Sequence, residues 1–175
     1  ELALAAFGHG LKGIRYYIHG SGSGWSGYEK SPSLMAEMKK FNGEIKKIEP
    51  ILSPSLFVST QTIGELENGC RQYTLWSGDE GVLVILLNLD YTTDREPNDL
   101  GQKPRFKFTP KTKVPVVIRK PLWFKEAAAQ GATKLTVTDP LNGQIFPYKE
   151  DAETIQVELP KLDLGQILWI PTPKK

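Results

Sequence analysis

Apolar and polar positions change rhythm once along the chain, near residue 50. Before that point the pattern is helical with one interruption. Leu2, Ala3, Leu4, Ala5, Ala6 and Phe7 have helix composition, and Gly8-His9-Gly10 supplies the left-handed residue that ends such a segment. Gly13-Ile14-Arg15-Tyr16-Tyr17-Ile18 is a short β-prone run. It opens into His19 to Tyr28, a Gly- and Ser-rich loop unfit for regular structure. A second helix is expected from Ser31-Pro32, with Ser as cap and Pro in the first turn, to Glu49-Pro50. Leu34, Met38, Phe41, Ile45 and Ile48 repeat at spacings of 4, 3, 4 and 3, which draws one apolar stripe along it.

After Pro50 the rhythm is that of strands, apart from one alanine-rich segment. Strands are expected at Leu56 to Thr60, Arg71 to Trp76 and Val82 to Leu89, the last two joined by the Gly-bounded turn Ser77 to Gly81. Val82 to Leu87 is apolar at every position, the mark of a central strand covered on both faces. Thr92 to Pro104 reads as a long exposed loop. Further strands follow at Arg105 to Phe108, Val114 to Ile118, Lys134 to Thr138, Gln144 to Pro147, Thr154 to Leu159 and Gln166 to Ile170. Asn142-Gly143 marks a turn between two of them. Eight or nine short strands with turn signals every 8 to 12 residues indicate an antiparallel β-sandwich.

Composition narrows the function. The 175 residues carry 22 Lys plus Arg against 20 Asp plus Glu, too balanced to steer the molecule onto a phosphate backbone or an anionic membrane. The longest apolar run is six residues, far short of the roughly 20 that span a bilayer. Cys70 is the single cysteine, fits no zinc-ligand spacing and reads as a small buried apolar residue, leaving the compartment open. The basic run from Lys103 to Lys125, interleaved with Phe106, Phe108, Trp123 and Phe124, has the makings of a nucleic-acid surface. It reads better as the solvated face of alternating strands, with the phenylalanines turned inward, so no nucleic-acid partner is expected. Gly20 to Gly24 lacks both dinucleotide and P-loop spacing. Glu65 and Glu67 alternate on a strand-like stretch, while Glu150, Asp151 and Glu153 form a solvated acidic turn rather than a calcium site. No Ser/His/Asp triad can be built, and no metal or cofactor is expected.

An N-terminal βα unit leading directly into a β-sandwich resembles the carboxyl-terminal end of clan-A retaining glycoside hydrolases of the β-galactosidase-like kind. The likeness is carried by Gly10-Leu11-Lys12-Gly13-Ile14-Arg15-Tyr16-Tyr17, similar to an eighth barrel strand, and by Met38 to Leu52, similar to an eighth barrel helix with its Asn42-Gly43-Glu44 and Glu49-Pro50-Ile51-Leu52. Arg71 to Asn88 is similar to a strand pair of the terminal domain, and Thr138-Asp139-Pro140-Leu141-Asn142-Gly143 to one of its turns. The resemblance implies residues 1–50 as the last helix-strand-loop-helix portion of a (β/α)8 barrel and 51–175 as an antiparallel β-sandwich domain. Loops at the carboxyl ends of barrel strands line the active site, which nominates Tyr17, His19, Trp25 and Tyr28 as substrate-binding residues for an oligosaccharide. His19 also reads as an ordinary hydrogen-bonded loop histidine, and the whole loop as a linker anchored by its aromatics.

Retention requires two carboxylates about 5 Å apart. In the family these lie upstream of anything matched here, and fifty residues cannot close a barrel that needs roughly 200 or more. The chain is therefore expected to be inactive alone, with catalysis on an upstream barrel segment or partner chain. Its start at Glu1, inside an apolar run, fits that expectation. The alternatives are a free-standing carbohydrate-binding module or a structural interaction domain.

Overall fold

The computed structural model describes residues 2–14, 32–93, 106–132 and 134–174. These residues form mainly strands in antiparallel sheets, with three helices. Helix α1 (Leu2–Gly8) ends as its sequence requires. Gly10 adopts φ +90°, its N–H reaches the Phe7 carbonyl at 2.9 Å, and the Leu11 N–H reaches Ala6 at 3.0 Å. This is the paired closure of a Schellman turn.

Helix α2 (Pro32–Leu52) starts where Ser31-Pro32 placed it but runs through Pro50 rather than stopping there. Pro50 leaves the Lys46 carbonyl without its i→i−4 donor and crowds it with the ring, but the proline lies two residues from the end, where the last carbonyls find other donors. Ser53 N–H bonds the Glu49 carbonyl at 2.8 Å, Ser77 Oγ the Ile51 carbonyl at 2.7 Å, and Ser55 Oγ the Leu52 carbonyl at 2.7 Å. The apolar stripe is buried only toward this end. Ile48 and Leu52 are sealed, Phe41 and Ile45 are half-buried, and Leu34 is 46 % exposed.

The larger sheet has strand order β1-β2-β3-β9, formed by β1 (Ser55–Ile63), β2 (Cys70–Ser77), β3 (Gly81–Asn88) and β9 (Gly165–Pro171). A tight turn with Gly78 at φ +57° joins β2 to β3, pairing Ser77 with Gly81. Strand β3 is buried at all eight positions because both of its faces are covered. Leu83, Ile85 and Leu87 meet Phe7, Ile48, Leu52, Tyr73 and Leu75 in a core shared with the helices. Val82, Val84 and Leu86 join Leu168 and Ile170 in a second core closed by the smaller sheet. At about 1.5–3 kcal/mol per fully buried aliphatic side chain, these two layers dominate the stability of the molecule.

The smaller sheet has order β6-β8-β7, from β6 (Lys111–Arg119), β8 (Thr154–Leu162) and β7 (Tyr148–Glu150). It contributes Val114, Val116, Ile118, Ile155, Val157 and Leu159 to the second core in strict alternation. The alanine-rich segment is α3 (Leu122–Ala129), seated by Phe124. Asn88 ties the sheets at one end, its amide donating to the Thr109 carbonyl at 2.8 Å and the Asp163 carbonyl at 2.7 Å.

Several local expectations are corrected. Thr92 and Thr93 belong to β4 (Tyr91–Thr93), which pairs with β5 (Phe106–Phe108), while 94–105 lie outside the described residues. On this two-stranded ribbon Phe106 is 56 % exposed and Phe108 half-buried, both against Tyr91, because the ribbon is not part of either larger sheet. Glu65 and Glu67 sit in the turn between β1 and β2 rather than on a strand. Lys134 to Thr138 and Gln144 to Pro147 meet only through isolated bridges. Asp139, 6 % exposed, captures the turn instead, accepting from Leu141 N–H at 2.8 Å, Asn142 Nδ2 at 2.9 Å and Gln166 Nε2 at 2.9 Å. Gly13 and Ile14 form no strand, and the rest of that run lies outside the described residues.

Candidate functional site

Tyr17, His19, Trp25 and Tyr28 all lie outside the described residues, as does the Gly-Ser loop that carries them. The residues just before that loop are held in place by Lys12. Its ammonium donates to the Leu52 carbonyl at 3.0 Å, to Ser55 Oγ at 3.1 Å and to the Ser55 carbonyl. A cation at a helix C-terminus also answers the negative end of the helix dipole. Burial pushes the Lys12 amine below the usual lysine range. Leu11 and Ile14 flank this anchor with exposed apolar side chains, and Leu34 and Met35 leave a further exposed apolar patch on the first turns of α2.

The described residues contain a different concave site, on the opposite side of the larger sheet. Along β2 the residues that face the smaller sheet are Cys70, Gln72, Thr74 and Trp76, and their β1 neighbours are Ser59, paired with Thr74, and Gln61, paired with Gln72. This half of the inner face is polar, whereas the β3–β9 half is aliphatic. On this side the two sheets approach through β1 and β6, the edge strand of each.

Two glutamines bridge the remaining gap, since Gln72 Nε2 and Gln61 Nε2 donate to the same Val117 carbonyl at 2.9 and 3.2 Å. Beside this clasp the sheets part to leave a cleft of about 500 Å³, lined by Ser59, Thr74, Trp76, Arg119 and Leu122 among others. That size falls in the roughly 300–1,000 Å³ range of small-molecule sites.

The cleft is finished at one end by an aromatic corner. Trp76 and Trp123 meet edge to face, centroids 5.0 Å apart at 83°, and Trp123 Nε1 is fixed by Thr172 Oγ1 at 3.1 Å. Trp76 keeps 37 % of its surface exposed. Gln72 is 1 % exposed, and its Oε1 has no donor. The orientation of its amide follows from Val117, whose carbonyl can only accept, so the nitrogen must face it and the oxygen is left over. An orphaned buried acceptor costs about 1–3 kcal/mol. Arg119 is exposed at the rim. The sequence signal for this site was available but unweighted: polar residues at the alternate positions Gln72 and Thr74 of β2, followed by Trp76.

The charged clusters singled out in the sequence resolve into structural roles. Lys111 pairs with Asp90 at 2.5 Å, Lys120 with Glu150 at 2.6 Å and Lys125 with Glu153 at 2.6 Å. The described part of the basic run is thus partly neutralised, and the acidic turn is met by lysines. Asp151 accepts from Thr154 Oγ1, Glu153 N–H and Thr154 N–H, which holds its carboxyl below the usual aspartate range, the Thr154 hydroxyl contributing most. Cys70 is buried in the second core as its composition suggested, and that burial pushes its thiol up. Among the described residues no three His, Cys, Asp or Glu side chains gather as a metal site, and no helix is long and apolar enough to cross a membrane.

Fold and cleft together define a mainly antiparallel β protein, with a helical layer on one face of its larger sheet and a polar, tryptophan-cornered cleft on the other. Compared with models of known protein families and with curated proteins, the chain matches none of them.

Proposed function

We propose that this chain is the carboxyl-terminal part of a carbohydrate-active glycoside hydrolase: residues 1–50 complete a (β/α)8 barrel, and 51–175 form the β-sandwich domain packed on it. In this reading the paired carboxylates belong to an upstream barrel segment or partner chain. The 175 residues supply assembly and substrate contacts, the latter from Tyr17, His19, Trp25 and Tyr28, and do not cleave a glycosidic bond alone.

One observation supports it above others. Apolar side chains of the helical half, Leu11, Ile14, Leu34 and Met35, stay exposed, while Ile48 and Leu52 at the far end of α2 are sealed against the sheet. A helix that is amphipathic along its length but covered at one end has surface to offer a further packing layer. The polar cleft favours a second reading, a free-standing carbohydrate-binding module, because such a protein needs an aromatic-cornered groove and no barrel.

The two readings separate on the intact mass of the polypeptide in its natural source. The hydrolase reading expects a mass well above 19.5 kDa, with release of chromogenic product from aryl glycosides by the long polypeptide and none by the 175-residue chain. A source polypeptide of 19.5 kDa overturns it.

A further inference from the structure

We infer that the cleft between β1–β2 and β6 is a glycan-binding subsite that seats one pyranose unit of an oligosaccharide against Trp76. The inference rests on the carbohydrate part of the proposed function, and it places the sugar on residues other than Tyr17, His19, Trp25 and Tyr28.

The chemistry of the walls selects the ligand. A pyranose presents an apolar CH face and an equatorial rim of hydroxyls, each able to donate and accept. It therefore requires an exposed indole beside several short polar groups. The cleft supplies the indole of Trp76, 37 % exposed and braced by Trp123. Its hydroxyl partners are Thr74, whose Oγ1 accepts from Gln72 Nε2 at 3.4 Å and keeps its own proton free to donate, and the Gln61 carboxamide, which spends only its nitrogen on Val117.

Gln72 adds an acceptor without a donor. That oxygen is enclosed, so a sugar hydroxyl reaches it only with a rotamer shift at the cleft floor, and satisfying a stranded acceptor favours the shift. Buried acceptors are ordinarily spent within the protein or on ordered water, so this oxygen has capacity for a ligand hydroxyl. Arg119 at the rim suits either a neutral hydroxyl pair or the carboxylate of a uronic acid. Lys120 is not available for the same task, since Glu150 and the Asp151 carbonyl hold its ammonium at 2.6 Å each.

Native affinity electrophoresis of the 175-residue chain in gels containing mixed-linkage β-glucan, galactan, galactomannan, xylan or polygalacturonate tests the inference. Retardation is expected in at least one gel, with the dissociation constant raised at least tenfold in Trp76→Ala and at least threefold in Gln72→Met. Gln72→Met keeps the side-chain volume and removes the stranded oxygen together with the Nε2 bond to Val117, so it carries the test if Trp76→Ala fails to fold, provided its own circular dichroism matches wild type.

Binding confined to polygalacturonate and abolished by Arg119→Ala assigns a uronate-bearing glycan. Binding to a neutral polymer that survives Arg119→Ala assigns a neutral one. No retardation in any gel overturns the subsite, as does retardation that Trp76→Ala and Gln72→Met leave intact. The source-polypeptide mass separates this outcome from the proposed function. A mass well above 19.5 kDa without retardation removes the cleft and leaves the hydrolase reading, whereas 19.5 kDa with Trp76-dependent retardation does the reverse.

Discussion

Individual polar side chains stitch this molecule together at the points where its regular elements end. Lys12, Ser55 and Ser77 satisfy the last carbonyls of α2, and Asn88 and Asp139 each bind two or three backbone or amide groups across chain breaks in the ladder. Ser77→Ala leaves the Ile51 carbonyl without its donor in a buried position, so a loss of about 1–3 kcal/mol is expected in urea unfolding at neutral pH. Asp151 provides the pH-dependent case. Its folded-state pKa lies below its unfolded one, so the unfolded chain binds the proton more readily and stability falls with acidification. The contribution is complete above the ordinary aspartate range and disappears as pH falls through the depressed value. Urea midpoints of Asp151→Asn should therefore lie below wild type at pH 7 and converge with it as the pH falls through the depressed aspartate value. A constant difference across that range would show that the Thr154 contacts do not depend on the charge.

Among the helices, α1 is the shortest and the most exacting in its fit. It docks through Phe7 and through Gly8, where a methyl group would stand 2.5 Å from the Tyr73 ring. Gly8→Ala therefore forces α1 or Tyr73 to move, and overpacking of this kind typically costs about 1–3 kcal/mol. Thermal melts should show a lowered midpoint for Gly8→Ala and a raised one for Gly43→Ala, since a methyl at Gly43 meets nothing within 4 Å and alanine is the better helix former by about 1 kcal/mol. Raised midpoints at both would mean that helix propensity, not the Tyr73 contact, governs. Strand β1 is the opposite kind of element. It is exposed at six successive positions and carries an irregularity at Val58, a device that twists an edge away from unwanted pairing.

At the scale of the whole molecule the larger sheet depends on covers over both faces. Removing residues 1–54 would uncover Leu75, Leu83, Ile85 and Leu87, an apolar surface that a soluble domain rarely exposes. The truncated chain is expected to elute as aggregates in size-exclusion chromatography where the 175-residue chain does not, and Phe7→Ala to cost about 3–5 kcal/mol in the full chain. A monodisperse truncated chain would show that the helical layer is dispensable. Much of this architecture was legible beforehand because it is local. The unbroken apolar run of β3 announces two covered faces, Gly10 a helix end, and the alternation of β6 and β8 a single buried face. The ribbon phenylalanines and the passage of α2 through Pro50 were not legible, since each depends on what lies across from the residue. Neither was the cleft. On β2 the sets Gln72/Thr74/Trp76 and Arg71/Tyr73/Leu75 both mix polar with apolar, and period-two alternation cannot say which faces the second sheet. By itself the sequence determined the order of elements, their turns and the doubly covered strand, because hydrogen-bond periodicity and turn chemistry act between near neighbours. Which set of β2 side chains faces the second sheet was decided only in the tertiary structure. Burial is a property of opposed surfaces, and the approach of β6 to β1 is what encloses Gln72 and Thr74 beside an open cleft.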